Sequence, residues 1–203
     1  ILLRPMQRDD GLSAREEALR AETLEKLQDL VVRYRPRTAF LREDWAQLIL
    51  ASAHPDRVLL NLEKCLERLE NPDGFIRRVE TDRNLFRTLV LLFAGSQYLT
   101  EILLKQPELA TTLSQRQTLQ IHKLSAQFYD ELLGIIADIE DYHEQLLAIR
   151  RYQRAEFLRI GVADLLQLTD LVTTTTQLSW LAIAIVRVCL RLSLQQLDLS
   201  RDG

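Results

Sequence analysis

The stretch Gln145–Leu168, QLLAIRRYQRAEFLRIGVADLLQL, constrains this chain more than any other: it contains no proline, and its apolar residues recur at helical spacing. Phe157, Ile160, Gly161, Leu165 and Leu168 form one apolar stripe, so the spacing predicts a long helix that must bury a face against other elements. Gly161 lies inside that stripe. A glycine there costs a helix about 1 kcal/mol relative to alanine, and its expected use is to let another backbone pack close. The same stretch carries the densest arginine cluster in the sequence: Arg150, Arg151, Arg154 and Arg159.

The partners of such a helix are expected to be helices too. The 203 residues include only 6 glycines and 5 prolines, are rich in Leu, Arg, Glu and Gln, and show no alternating run of strand length. An all-α fold follows, a multi-helix bundle with no sheet. At 47% hydrophobic, the chain can bury one sizeable core or two small ones. Its formal net charge of -3 gives no electrostatic reason to expect nucleic acid as a partner. Cys65 and Cys189 lie far apart without Cys-x-x-Cys or Cys/His ligand spacing, which fits reduced thiols in a cytoplasmic protein. The most apolar run, Leu178–Val186, is stopped by Arg187 and is too short to span a bilayer, so no membrane partner is expected. The opening ILLRPMQRDD has no signal-peptide pattern. The missing initiator methionine and the close at Ser200–Gly203 lead to the expectation of an excerpt from a longer protein.

Taken in order, residues 1–12 read as a polar lead-in, and Ser13 with Glu16 has capping-box spacing for a helix to about Val32. Arg33, Arg35, Arg37 and Arg42 surround Pro36 in a segment that reads as a solvated loop, with Asp29, Glu43 and Asp44 diluting its field. Helices are expected over Asp44–Ala53 and from Pro55 through VLLNLEKCLERLE, the latter ended by Asn71-Pro72-Asp73-Gly74. Thr81 or Asp82 should cap NLFRTLVLLFAG, Gly95 close it, and Ser96 open QYLTEILLKQ, which stops before Pro107 and a shorter helical piece, PELATTL. Ser114 or Thr118 should then start a long helical region that continues into the arginine stretch, with Gly134 as the candidate break. Thr173–Thr176, with Thr174 and Gln177 in capping-box register, precede a last helix over Gln177–Leu197.

Little of this pattern suits catalysis. His54 precedes a proline without a ligand-spaced partner and reads as a helix end. Gly95-Ser96 is similar to the Gly-Ser turn with which nucleotidyltransferases hold a triphosphate, but the strand and acidic pair that such a turn needs do not follow. Asp138-Ile-Glu140 would share a face on a strand and could hold magnesium. On a helix the two side chains point about 200° apart. The surrounding pattern reads as helix, so Asp138, Glu140, Asp141 and Glu144 are expected to form an exposed acidic face, with His143 beside them. Arg150, Arg151 and Arg154 can project together, and guanidinium forks suit a nucleotide, an acidic partner surface or ion pairs within the chain. Glu144, Glu156 and Asp164 are close enough in sequence to favour the ion pairs. No catalytic residue and no metal ligand is assigned.

At these residues the sequence resembles a known family. RRYQRAEFLRIGVADLLQLTDL is similar to the arginine-rich helix that comes before each nucleotidyltransferase lobe in glutamine synthetase adenylyltransferase/adenylyl-removing enzymes. NLEKCLERL at Asn61–Leu69, LFAGSQYLTEILLKQPELATTL at Leu92–Leu113 and QLSWLA at Gln177–Ala182 follow the family's order, and the likeness extends over about Pro55–Leu197. Gln153 and Ala155 stand where the family usually has basic residues. The resemblance implies a division into a helical lead-in, residues 1–54, and a family-like helical region, residues 55–203, ending before the amino-terminal lobe. It also implies a parent enzyme that uses ATP and magnesium to attach AMP to glutamine synthetase and removes it by phosphorolysis, with PII signalling proteins as further partners. The Gly-rich metal and nucleotide motif of the lobe is absent here, so the chain is expected to be a non-catalytic helical part. The alternative is a stand-alone helical interaction module with an arginine-rich face.

Overall fold

A computed structural model describes residues 14–34, 39–113 and 115–199. Among them the only regular structure is helical, as the glycine-poor, strand-free sequence requires. The chain divides into two compact units, Ile1–Ser114 and Gln115–Gly203. The boundary expected at residue 54 falls inside the first unit. Helices on both sides of it pack together there, because the apolar faces of the first two helices have the third as their partner.

The first unit contains α1 (Ala14–Tyr34), α2 (Ala39–Leu50), α3 (Pro55–Arg68), α4 (Pro72–Thr81), α5 (Arg83–Gly95), α6 (Gln97–Lys105) and a 3-10 turn over Pro107–Thr112. α3 is its hub and packs on α1, α2, α5 and α6. Val58, Leu59, Leu62, Cys65 and Leu66 recur on one face of α3, and Phe86, Leu89 and Phe93 of α5 are buried in the same unit. Trp45 of α2 stacks on Phe86 with ring centroids 4.6 Å apart. The caps fall where side-chain chemistry puts them. Asp82 accepts from the Leu85 N–H at 3.1 Å, and Ser96 accepts from the Leu99 N–H at 3.3 Å. Each cap is worth about 1 kcal/mol.

Two expectations in this unit need correction. Asn71-Pro72-Asp73-Gly74 does not simply end a helix. It begins α4: the Asn71 side chain accepts from the Gly74 N–H at 2.8 Å, and Pro72 sits in the first turn, where its missing N–H costs nothing. The second half of the arginine-rich loop is already α2, which begins at Ala39. Arg35, Arg37 and the Ser13 cap lie outside the described residues, and Arg33 pairs with Glu63 at 3.0 Å.

The second unit contains α7 (Arg116–Leu119), α8 (Ser125–Ile136), α9 (Tyr142–Leu165) and α10 (Leu171–Leu199). α8, α9 and α10 form a three-helix bundle around Phe128, Leu132, Ile149, Ile160, Leu181, Ala184, Val188 and Leu192. The expected continuous helix through residues 118–165 is broken twice. Ile121–Leu124 is non-helical, and residues 137–141 separate α8 from α9. Gly134 is not the break and lies within α8. Asp141 instead caps α9, accepting from the Glu144 N–H at 2.7 Å. Asp138 and Glu140 therefore stand in an exposed connection and not on a helix face.

α9 ends in a Schellman turn: the Leu168 N–H reaches Ala163 O and the Gln167 N–H reaches Asp164 O, both at 2.9 Å, with Gln167 at φ 55°. α10 begins at Leu171, six residues earlier than expected, because Asp170 caps it by accepting from the Thr173 N–H at 2.7 Å. The apolar stretch is accordingly longer than Leu178–Val186. Over Leu171–Leu197 the helix is long and apolar enough to cross a membrane by length and composition alone. One of its faces is spent on the bundle core.

Candidate interaction face and buried polar lock on the arginine helix

α9 carries the four arginines, and the structure separates them. Arg159 is buried, only 8% exposed. Its Nε donates to Glu156 Oε2 at 2.8 Å, one Nη donates to Ile121 O, and the other donates to Gln177 Oε1 at 3.3 Å. Glu156 is buried as well, and its second oxygen accepts from Lys123 Nζ at 2.7 Å. Lys123 also donates to Glu131 at 2.6 Å, and Tyr152 OH donates to the same carboxylate at 2.6 Å. The Lys123 ammonium lies 5.5 and 5.6 Å from the ring centroids of Tyr152 and Phe128. Lys123 and Arg159 thus face Glu131 and Glu156, two cations against two anions, each held by hydrogen bonds.

The non-helical segment before α8 depends on this lock. Residues 121–124 are largely exposed and have no helical ladder to hold their peptide groups. Gln177 of α10 supplies a substitute: its Oε1 accepts from the Lys123 N–H at 3.0 Å and its Nε2 donates to Lys123 O at 2.6 Å. Gln127 accepts from the Leu124 N–H at 2.6 Å. A single side-chain amide and one guanidinium therefore fasten the segment to α9 and α10. Nearby, Thr174 donates to Asp164 at 3.1 Å and lies 2.9 Å from Thr169 Oγ1, which ties the two ends of the α9–α10 connection. Thr174 and Gln177 are thus buried ties within α10, not the capping pair their spacing suggests.

The lock shifts two titrations. Burial opposes ionisation of Glu131, but the hydrogen bonds from Lys123 and Tyr152 and the Lys123 charge outweigh it and hold the carboxyl below the usual glutamate value. Burial, then the hydrogen bond to Glu131 and the surrounding carboxylates, push the Tyr152 phenol well above its ordinary value.

The other three arginines have a different position. Arg150 and Arg151 are exposed and Arg154 is half-buried, and none of them makes an ion pair or hydrogen bond with a described residue. Their candidate partners are engaged or remote: Glu156 holds Arg159 and Lys123, and Asp164 holds Thr174. Internal ion pairing accounts for Arg159 alone. Residues 154 and 159 are five positions apart, about 140° around a helix, which separates the half-buried Arg154 from the buried Arg159.

The apolar stripe is also redistributed. Ile160 is buried in the core, and Phe157 packs partly against it. Gly161, Leu165 and Leu168 are half-buried. Around Glu156–Ala163 the helix is covered on more than one side because α7 packs against it in addition to α8 and α10.

Lys123, Glu131, Tyr152 and Gln177 were not legible as a group. Lys123 and Gln177 are 54 positions apart, and the only local signal was the Thr174–Gln177 spacing. Among the described residues, no three His, Cys, Asp or Glu side chains come together in a way that could hold a metal ion. Gly95-Ser96 is a helix junction, with Ser96 capping α6. In the first unit, an open cleft of about 570 Å³ is lined in part by Arg68, Arg78, Glu70 and Glu108, a balanced charge set.

A family model described as glutamate-ammonia ligase adenylyltransferase matches residues 86–201, more than half of the chain and including the whole polar lock. The arginine helix that the sequence singled out lies inside that match. The chain belongs to the glutamate-ammonia ligase adenylyltransferase family.

Proposed function

We propose that this chain is a non-catalytic helical part of a cytoplasmic, bifunctional adenylyltransferase that attaches AMP to glutamine synthetase and removes it by phosphorolysis. Its task is mechanical and interactive. The polar lock keeps α9 rigid in its bundle, and Arg150, Arg151 and Arg154 present fixed cationic forks to an acidic surface. The observation that carries this reading is the division of one helix, within the family match, into a paired buried arginine and three unpaired outward ones. The surface they meet belongs to glutamine synthetase, with an adjoining nucleotidyltransferase lobe as the competing neighbour. ATP and magnesium act in that lobe, and PII protein regulates the parent enzyme.

The test is direct. Adenylylated and unmodified glutamine synthetase are incubated with this chain, ATP, phosphate and magnesium, and AMP transfer is followed in both directions. No turnover is expected, and appreciable turnover in either direction overturns the non-catalytic assignment. The same unpaired arginines favour a second reading, a stand-alone interaction module with an acidic partner. The coding sequence past Gly203 separates the two: a Gly-rich turn followed by D-x-D within the next ~60 residues supports the first, and an immediate stop codon supports the second.

A further inference from the structure

α10 buries one face in the bundle and leaves the opposite face uncovered. The uncovered side chains fall in two rows of strict seven-residue period: Val172, Ser179, Val186 and Ser193 in one, Thr176, Ile183, Leu190 and Leu197 in the other. Together they alternate at spacings of four and three, a seam about 37 Å long. Val172, Ile183, Val186, Leu190 and Leu197 are 49–71% exposed. A seven-residue repeat is the period that keeps a seam facing a second, supercoiling helix, so its natural occupant is a helix. Ser179 and Ser193 donate to Thr175 O and Cys189 O, and a neighbour can therefore cover both without leaving a hydroxyl unpaired.

Charge sets the chemistry of that occupant. Arg187 and Arg191 stand one turn apart on one side of the seam, and Leu171–Leu197 contains no acidic residue. Neither arginine makes an ion pair or hydrogen bond with a described residue. Arg187 lies over the Tyr129 ring, its guanidinium carbon 4.2 Å from the centroid, and Arg191 is exposed. A second copy of α10 would bring two more arginines and no acid. A helix with carboxylates at a spacing of four along the border of its apolar stripe matches the arginines instead.

We infer that the exposed face of α10 is a docking seam for an amphipathic helix of a partner whose apolar stripe is bordered by acidic residues. The seam lies apart from the α9 arginines, so each surface can fail without the other. The probes are two synthetic four-heptad peptides with Ile and Leu at the seam positions, one bordered on both sides by glutamates and its twin by lysines; the like charges keep each from pairing with itself. In low salt the glutamate peptide should bind the chain at least about tenfold more tightly than the lysine peptide. Leu190→Glu should abolish that binding, and Arg191→Glu should bring the two peptides within about threefold of each other, both variants keeping the wild-type urea midpoint. No binding of the glutamate peptide, or equal binding of both peptides, overturns the inference. So does binding indifferent to Leu190→Glu or to Arg191→Glu, occupation of the seam by a second copy in sedimentation, or its insertion into phosphatidylcholine–phosphatidylglycerol vesicles.

Discussion

Replacing Arg159 by methionine keeps much of the side chain's length and removes its charge and three hydrogen bonds. Ile121 O and one oxygen of Glu156 lose their guanidinium donors, and Gln177 keeps only its bonds to Lys123. Breaking a buried ion pair by removing one partner costs about 3–5 kcal/mol. Lys123 still reaches Glu156, so the lower end applies, about 3 kcal/mol. The molecule provides a clean reporter. Its two tryptophans divide between the units, Trp45 in the first and Trp180 packed on the core of the second. In a Trp45→Phe background, fluorescence follows the second unit alone. With a urea slope of about 1.5 kcal/mol per M, Arg159→Met should lower the midpoint by about 2 M. Arg154→Met, in the same helix with an unpaired guanidinium, should cost less than about 0.5 kcal/mol. Equal shifts for the two variants would refute the separation of a locked arginine from free ones.

Three further outcomes follow from local geometry. Gly134 sits inside α8 with nothing within 4 Å of an added Cβ, so Gly134→Ala should raise the second unit's stability by about 0.5–1 kcal/mol, read by the same urea curve. The Glu131 carboxyl titrates below its unfolded value, so its contribution is present above about pH 4.5 and is lost as pH falls through the lower folded value. Glu131→Gln should therefore flatten the acid limb of the stability curve below that pH, and an unchanged limb counts against the lock. Burial pushes the Cys65 thiol up to about 12, so at pH 8 a thiol reagent should label half-buried Cys189 first and reach Cys65 only at the rate of unfolding.

The parts of the fold that were legible in the sequence share one property: their chemistry is local. Asp82 and Ser96 act on an N–H three residues on, and Pro55 and Pro107 mark first turns that only their own backbone dictates. Where one local pattern serves two conformations, the reading failed. Asn-Pro-Asp-Gly is a turn and also a helix start, and at residue 71 the start prevailed because Phe75, Ile76 and Val79 of α4 are buried in the core. The break at residues 137–141 has neither glycine nor proline, and it exists because α8 and α9 must turn back on each other to share a core. The polar lock was hidden for another reason. Its members come from α8, α9, α10 and the segment before α8, and nothing in the spacing of Lys123 and Gln177 marks them as partners. The arginine cluster was visible as a cluster, but the angular position that separates Arg159 from Arg154 has meaning only once the neighbouring helices are placed.

Titration of glutamine synthetase with this chain, compared with an Arg150→Glu/Arg151→Glu/Arg154→Glu variant, tests the central claim most directly. The claim is that the arginine helix is locked on its inner side and docks with its outer side. It predicts binding that weakens with added salt and falls at least about tenfold in the triple variant, while the triple variant keeps the wild-type urea midpoint. Binding of equal strength by wild type and variant, or no binding by the wild type, would contradict it.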